Sequence, residues 1–274
     1  MNPFDVFLTN PILNLLIAIF KILEAASIPQ SLGFAIILLT TIIRLALWPL
    51  TSAQLKSTQK MAALKPHLDR IKSEHGQDKV RHQQEVTKLY KEHGVNPLAG
   101  CLPLILQIPV FIALYNVLLK IVQFDNADFL ANINSRLYSP SLHLSSTPGT
   151  SFFGLGLAAK PSDWQNAGIL LLAIPVATGL FQFIQSKMIA PASPPKPKIA
   201  NGDQKKKEDM EDTMAQVSSQ MIMIMPIMIA FFSYQFPFGL SLYWNTFTII
   251  GIVQQYMVTG AGALNKYLPE KWRR

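Results

Sequence analysis

Apolar stretches of spanning length recur along the chain at residues 31–50, 97–121, 166–186, 220–236 and 239–258, and charge gathers in the segments between them. The hydrocarbon core of a bilayer is about 30 Å thick, and about 20 helical residues cross it. The pattern therefore predicts an all-α polytopic membrane protein with five transmembrane helices. A sixth apolar stretch, residues 11–26, is nearly as long. Its polar positions Asn14, Lys21 and Glu24 are spaced by seven and three, which puts them on one narrow stripe of a helix. Residues 1–30 are accordingly read as an extracytoplasmic terminus whose amphipathic helix lies in the outer interface.

Charge orients these elements. Only 15 % of the 274 residues are charged and half are hydrophobic, whereas a soluble domain carries about 25 % charge. That composition argues against a soluble enzyme. Three islands, 51–96, 187–217 and 264–274, carry net +4, +1 and +3, which is the whole formal charge of +8. Short loops rich in Lys and Arg stay in the cytoplasm. This places 51–96, 187–219 and the basic tail 259–274 inside and 122–165 outside; the last holds Arg136 and Lys160 against Asp125, Asp128 and Asp163. An odd number of spans then puts the amino terminus out and the carboxyl terminus in. No basic patch interleaved with aromatic residues marks a specific nucleic-acid site.

The first cytoplasmic island, 51–96, reads as a helical hairpin. Met61, Leu64, Leu68 and Ile71 follow the three-four spacing of a helical seam, Gly76 offers a turn, and Val86, Leu89 and Tyr90 supply the facing seam. Pro66 forces a kink or a fresh helix start. Arms of about 20 residues reach roughly 30 Å from the membrane, either as a solvated spacer or as a docking arm for a partner. The second island combines Pro191, Pro194, Pro195 and Pro197 with Lys205, Lys206 and Lys207 and four nearby acidic residues. That composition predicts a mobile loop at 187–219. Its basic run serves as a topology anchor, with anionic lipid or ribosomal RNA as the alternatives.

Little in the chain can do covalent chemistry. The one cysteine, Cys101, rules out an intramolecular disulfide and a cysteine-rich metal cage. Four of the five histidines, His67, His75, His82 and His93, fall in the charged hairpin, and no span holds a metal-ligand cluster, so no cofactor or metal is expected. No Asp or Glu falls inside a predicted span, which counts against a proton- or cation-coupled transporter. Arg44 does fall there. An arginine near mid-bilayer costs about 2.5–3.5 kcal/mol on insertion scales, so it either faces a hydrated interior or snorkels along the remaining turn or two of helix. Gln107, Gln182, Gln185, Asn245, Thr246 and Thr248 lie in other spans, where amides and hydroxyls need partners or water. Together they favour a polar cavity of net positive charge that attracts acidic or polar segments.

At this point whole segments become recognisable. Lys60-Met61 and Lys88-Leu89-Tyr90-Lys91 lead into Asn96-Pro97-Leu98-Ala99-Gly100-Cys101-Leu102-Pro103 and Gln107-Ile108-Pro109-Val110-Phe111-Ile112-Ala113-Leu114-Tyr115. With the Arg-bearing first span, Phe183-Ile184-Gln185, Pro237-Phe238-Gly239-Leu240-Ser241-Leu242-Tyr243-Trp244 and Gln254-Gln255, the chain closely resembles the YidC/Oxa/Alb membrane protein insertase family over most of 31–258. The resemblance implies five helices around a groove open to cytoplasm and lipid but closed to the outside. By it, Arg44 is the groove arginine, Gln107, Gln185 and Trp244 line the groove, and residues 53–94 form the hairpin that engages clients. It further implies nascent membrane proteins as clients, the Sec translocon and ribosome as partners, and no enzymatic step. With no large domain ahead of the first core span and no amino-terminal cysteine for a lipid, the chain reads as the short form of a bacterial plasma-membrane insertase. It departs from the family pattern at Phe247 and Thr248, where the family often shows Asn, and in a longer outer loop, Ser/Thr/Pro-rich at 139–150. The alternatives are a small-anion or lipid transporter using the same cavity, and a scaffold in which the hairpin only recruits partners.

Overall fold

The computed structural model describes residues 2–95, 102–122, 129–189, 224–267 and 269–270. Eleven α-helices are described: α1 (Asn10–Ala25), α2 (Ser31–Ala46), α3 (Trp48–Ala63), α4 (Lys65–His75), α5 (Lys79–Glu92), α6 (Leu102–Val122), α7 (Phe129–Asn134), α8 (Trp164–Ala167), α9 (Ala173–Ile189), α10 (Ile224–Gln235) and α11 (Phe238–Thr259). A two-stranded hairpin, β1 (Ser151–Phe152) with β2 (Leu155–Gly156), precedes α8. The chain forms two compact units: Met1–Leu47, Pro103–Phe181 and Met228–Ile250 make the first, and Trp48–Leu102, Gln182–Ile227 and Gly251–Arg274 the second.

Helix ends follow local chemistry. Within the predicted span 31–50, α2 ends at Ala46, and Trp48–Leu50 open α3. Pro49 has no N–H to continue the ladder onto Leu45 and disfavours the helical conformation in the residue before it, so it can only sit in a first turn. In the predicted third span the apolar helix starts after Gly168, whose φ of +105° lies outside the helical region, and runs over Ile169–Ile189 rather than 166–186. Lys187, Met188 and Ile189, assigned from composition to a mobile loop, continue α9. The rest of that loop, residues 97–101 and 220–223 of the predicted second and fourth spans, and Arg273 and Arg274 of the tail lie outside the described residues.

The first unit has one apolar core. Leu13, Leu16, Ile17 and Phe20 of α1 pack with Leu32, Ala35, Ile36 and Leu39 of α2, Ala113, Leu114, Val117 and Leu118 of α6, and Leu240 and Tyr243 of α11. By length and composition the segment Asp5–Ala25 suffices to cross a membrane. Its polar stripe, however, is used by protein. Asn14 Nδ2 donates to the Asn10 and Arg136 carbonyls at 2.8 and 3.0 Å, and Asn14 Oδ1 accepts from the Tyr138 N–H at 2.7 Å. Lys21 Nζ donates to the Ser141 and His143 carbonyls at 2.8 and 2.6 Å. Glu24 stays exposed. These side chains fix the path of residues 136–143, and Phe7, Leu15 and Ile22 present an exposed apolar face. Replacing Lys21 with Leu removes both carbonyl partners, and limited proteolysis is expected to cut within residues 139–147 several times faster than in the parent protein.

In the second unit Pro66 sits in the first turn of α4, so the first arm of the hairpin starts afresh there. Leu64, Leu89 and Val95 are buried together, with Met61, Leu68, Ile71 and Tyr90 packed around them; Val86 is only half-buried. Asp78 caps α5, its carboxylate accepting from the Val80 and Arg81 N–H groups at 3.1 Å each. Asp78→Ala is expected to cost about 1 kcal/mol, read as roughly fivefold faster hydrogen exchange at those two amides. On the exposed face Arg70 Nε donates to Glu74 Oε1 at 2.8 Å and holds that carboxyl below its ordinary value. The contribution of this solvated pair is present at neutral pH and fades as pH falls through the Glu74 titration.

Candidate membrane-embedded polar site

The site is built on α2, α6 and α11 of the first unit. Arg44 lies in the last turn of α2 and is 7 % exposed. Its guanidinium carbon stands 4.1 Å from the centroid of the Phe247 ring. Its Nε has no hydrogen-bond partner, and no carboxylate among the described residues pairs with it. A cation over an aromatic face gains about 0.5–2 kcal/mol, far less than complete removal of an arginine from water costs. A buried cation held mainly by a ring is poised to take an anionic or carbonyl partner.

One helical turn before Phe247 along α11 stands Tyr243. It is fully buried and its hydroxyl accepts a hydrogen bond from Gln107 Nε2 of α6. The Tyr243 and Phe247 rings are 6.1 Å apart, so Gln107, Tyr243, Phe247 and Arg44 form a continuous chain of contacts across three helices. Trp244 meets Phe111 edge-on at 5.6 Å, and Phe236 lies 6.1 Å from the same Phe111. Asn245 Oδ1 is buried without a partner, Thr248 is buried, and Thr246 donates to the Leu242 carbonyl of its own helix. Gln182 and Gln185, both half-buried on α9, belong to the second unit. There Lys187 Nζ lies 5.4 Å from the Phe183 ring.

Three features went unread in the sequence. Phe247, noted only as a departure from the family pattern, is the ring under Arg44; its four-residue spacing from Tyr243 was the available signal. Thr178, Ser233 and Ser241 form a buried chain of hydroxyls on α9, α10 and α11, at 3.2 and 3.0 Å, where Ser and Thr supply helix-to-helix hydrogen bonds. In the second unit Gln254 Nε2 reaches the Trp48 carbonyl at 3.1 Å, Thr51 Oγ1 at 2.5 Å and Ser52 Oγ at 3.1 Å. It thereby ties α11 to the first turn of α3, donating to a backbone carbonyl and to hydroxyl oxygens there.

Buried polar groups on several apolar helices define a multi-pass α-helical membrane protein with a polar interior. The family model of the 60Kd inner membrane protein matches residues 23–264, and the chain belongs to that family. It is 32 % identical over 266 residues to the inner membrane ALBINO3-like protein 1 of the chloroplast of Chlamydomonas reinhardtii, covering 94 % of this chain and 50 % of that one. It is 34 % identical over 228 residues to the membrane protein insertase YidC of Rickettsia prowazekii, covering 82 % of this chain and 35 % of the relative. The fold matches a crystal structure of an active YidC insertase with a TM-score of 0.55 at 24 % identity, over 93 % of this chain and 47 % of the other. The chain thus spans from about a third to half the length of these relatives.

Proposed function

We propose that this protein inserts nascent membrane proteins into a bacterial plasma membrane and assists their folding, without enzymatic turnover. One observation carries the reading: Arg44 is buried in an apolar helix with an aromatic ring beside it and, among the described residues, no acid paired with it. A hydrated, positively charged groove facing cytoplasm and lipid shortens the apolar slab that a client's polar tail must cross, and Arg44 attracts the acidic part of that tail. The client's own apolar helix then partitions into lipid, and that transfer drives the process without nucleotide. Gln107, Trp244, Asn245 and Thr248 line the groove in this account. The membrane frame is five spans with the amino terminus outside, the segment 11–26 in the outer interface, and the hairpin carrying Met61, Leu64, Leu68, Ile71, Leu89 and Tyr90 in the cytoplasm. That hairpin receives clients from the ribosome, alone or beside the Sec translocon.

Support for the reading comes from relatives named as insertases and from the acid-free spans. The test is purified protein in liposomes given a short single-span client with an acidic tail. Protease protection of the tail well above that in protein-free liposomes is the expected result. Anion flux without client protection would favour the transporter reading instead.

A further inference from the structure

The tip of the β1–β2 hairpin is built against the usual turn chemistry. Its two central residues, Phe153 and Gly154, have φ of +49° and +80°. Two-residue hairpin turns of this kind take Asn, Asp or Gly at the first position because those residues tolerate the left-handed region. Phe is poorly suited to it. The ring gains little burial in return, since Phe153 remains 70 % exposed. A strained backbone and an exposed ring persist together only when something outside the unit rewards the display.

The display is also held in place. The Phe153 N–H donates to Gln30 Oε1 at 2.9 Å, and Gln30, just ahead of α2, is itself left-handed with φ +59°. Beneath the tip, Phe152 is buried and meets Phe153 edge-on at 4.7 Å. Phe34, in the first turn of α2, lies 5.2 Å from Phe152 and 6.4 Å from Phe153. Phe34 begins a helical stripe whose later members, Leu38, Ile42 and Leu45, are 41 %, 44 % and 54 % exposed. On a helix that crosses a membrane, such a stripe faces hydrocarbon. Phe153 therefore extends the lipid-facing stripe of α2 at its outer end, the level at which aromatic side chains anchor proteins in the interface.

We propose that the 151–156 hairpin is a membrane wedge: Phe153 inserts into the outer-leaflet interface and fixes the depth of the outer loop and of the start of α2. The occupant of this surface is lipid. The inference rests on α2 crossing the bilayer and does not depend on the insertase reading.

The test uses the full-length protein with Cys101→Ser, which removes its one cysteine, and a nitroxide at Phe153→Cys. Ile42→Cys serves as the lipid reference and Ser146→Cys, exposed in the outer loop, as the aqueous one. In vesicles of phosphatidylethanolamine and phosphatidylglycerol, power-saturation spectroscopy reads collisions with oxygen and with a polar nickel chelate. The expected result at 153 is high oxygen and low nickel accessibility, with a ratio severalfold above that at 146 and on the side of 42. Nickel accessibility equal to that at 146 would overturn the proposal by placing the tip in water. Low accessibility to both reagents would overturn it in favour of a protein cover. Insertion activity is scored separately on the same samples, so failure of the wedge and failure of the insertase reading are distinguishable.

Discussion

Replacing Arg44 with Ala is expected to lower insertion of an acidic-tailed client by about ten- to a hundredfold, the equivalent of one charge-assisted hydrogen bond of about 1.5–3 kcal/mol. Arg44→Lys keeps the charge and is expected to retain most of the activity, losing mainly the planar stacking on Phe247. A client with a neutral tail should lose far less than an acidic one with Arg44→Ala. The same site makes a second, opposed prediction for stability. Arg44 is a buried cation with no acid among the described residues to offset its desolvation, so Arg44→Leu should leave the melting temperature in detergent unchanged or raise it. A residue kept for structure would show loss of stability and of activity together. Gain or parity in stability with loss of activity marks a residue kept for binding.

The largest structural effect is expected at Gly33, in the first turn of α2. A Cβ there would come within 2.0 Å of Phe152 Cδ2, so Gly33→Ala must push the Phe152 ring out of its place between Phe34 and Phe238. Overpacking of this sort costs about 1–3 kcal/mol, and expulsion of the ring adds lost burial to that. The melting temperature should fall by several degrees. Combining Gly33→Ala with Phe152→Ala should cost clearly less than the two changes summed, because the second removes the atom that the first strikes.

The helical, membrane-embedded class was legible because lipid admits few backbone solutions: apolar runs of about 20 residues separated by basic loops leave almost no other reading. Arg44 stood out for the same reason, as a charge where charge is expensive. The side chains of Met61, Leu64, Leu68 and Ile71 meet Leu89 because three-four spacing places them on one face. The loop that follows α7 was opaque. Its path is set by Asn14 and Lys21 gripping backbone carbonyls more than a hundred residues away, and a carbonyl carries no sequence signature. Lys21 and Asn14 were read as a stripe facing an interface, whereas the polar surface they meet is the protein's own loop. The end of α2 was readable from Pro49 but masked by the apolar run continuing through Leu50. Phe247 was underread because an aromatic among apolar neighbours looks like packing until a cation is found over its face.

The claim that clients pass along the first unit's polar interior is tested most directly by photocrosslinking to an arrested client in proteoliposomes. A photoreactive side chain in place of Thr248, buried on α11, is set against one in place of Val176, exposed on α9. The account predicts capture of the client's acidic segment from position 248, reduced in the Arg44→Ala background, with position 176 capturing lipid and little client. Capture from position 176 alone, unaffected by Arg44, would contradict it.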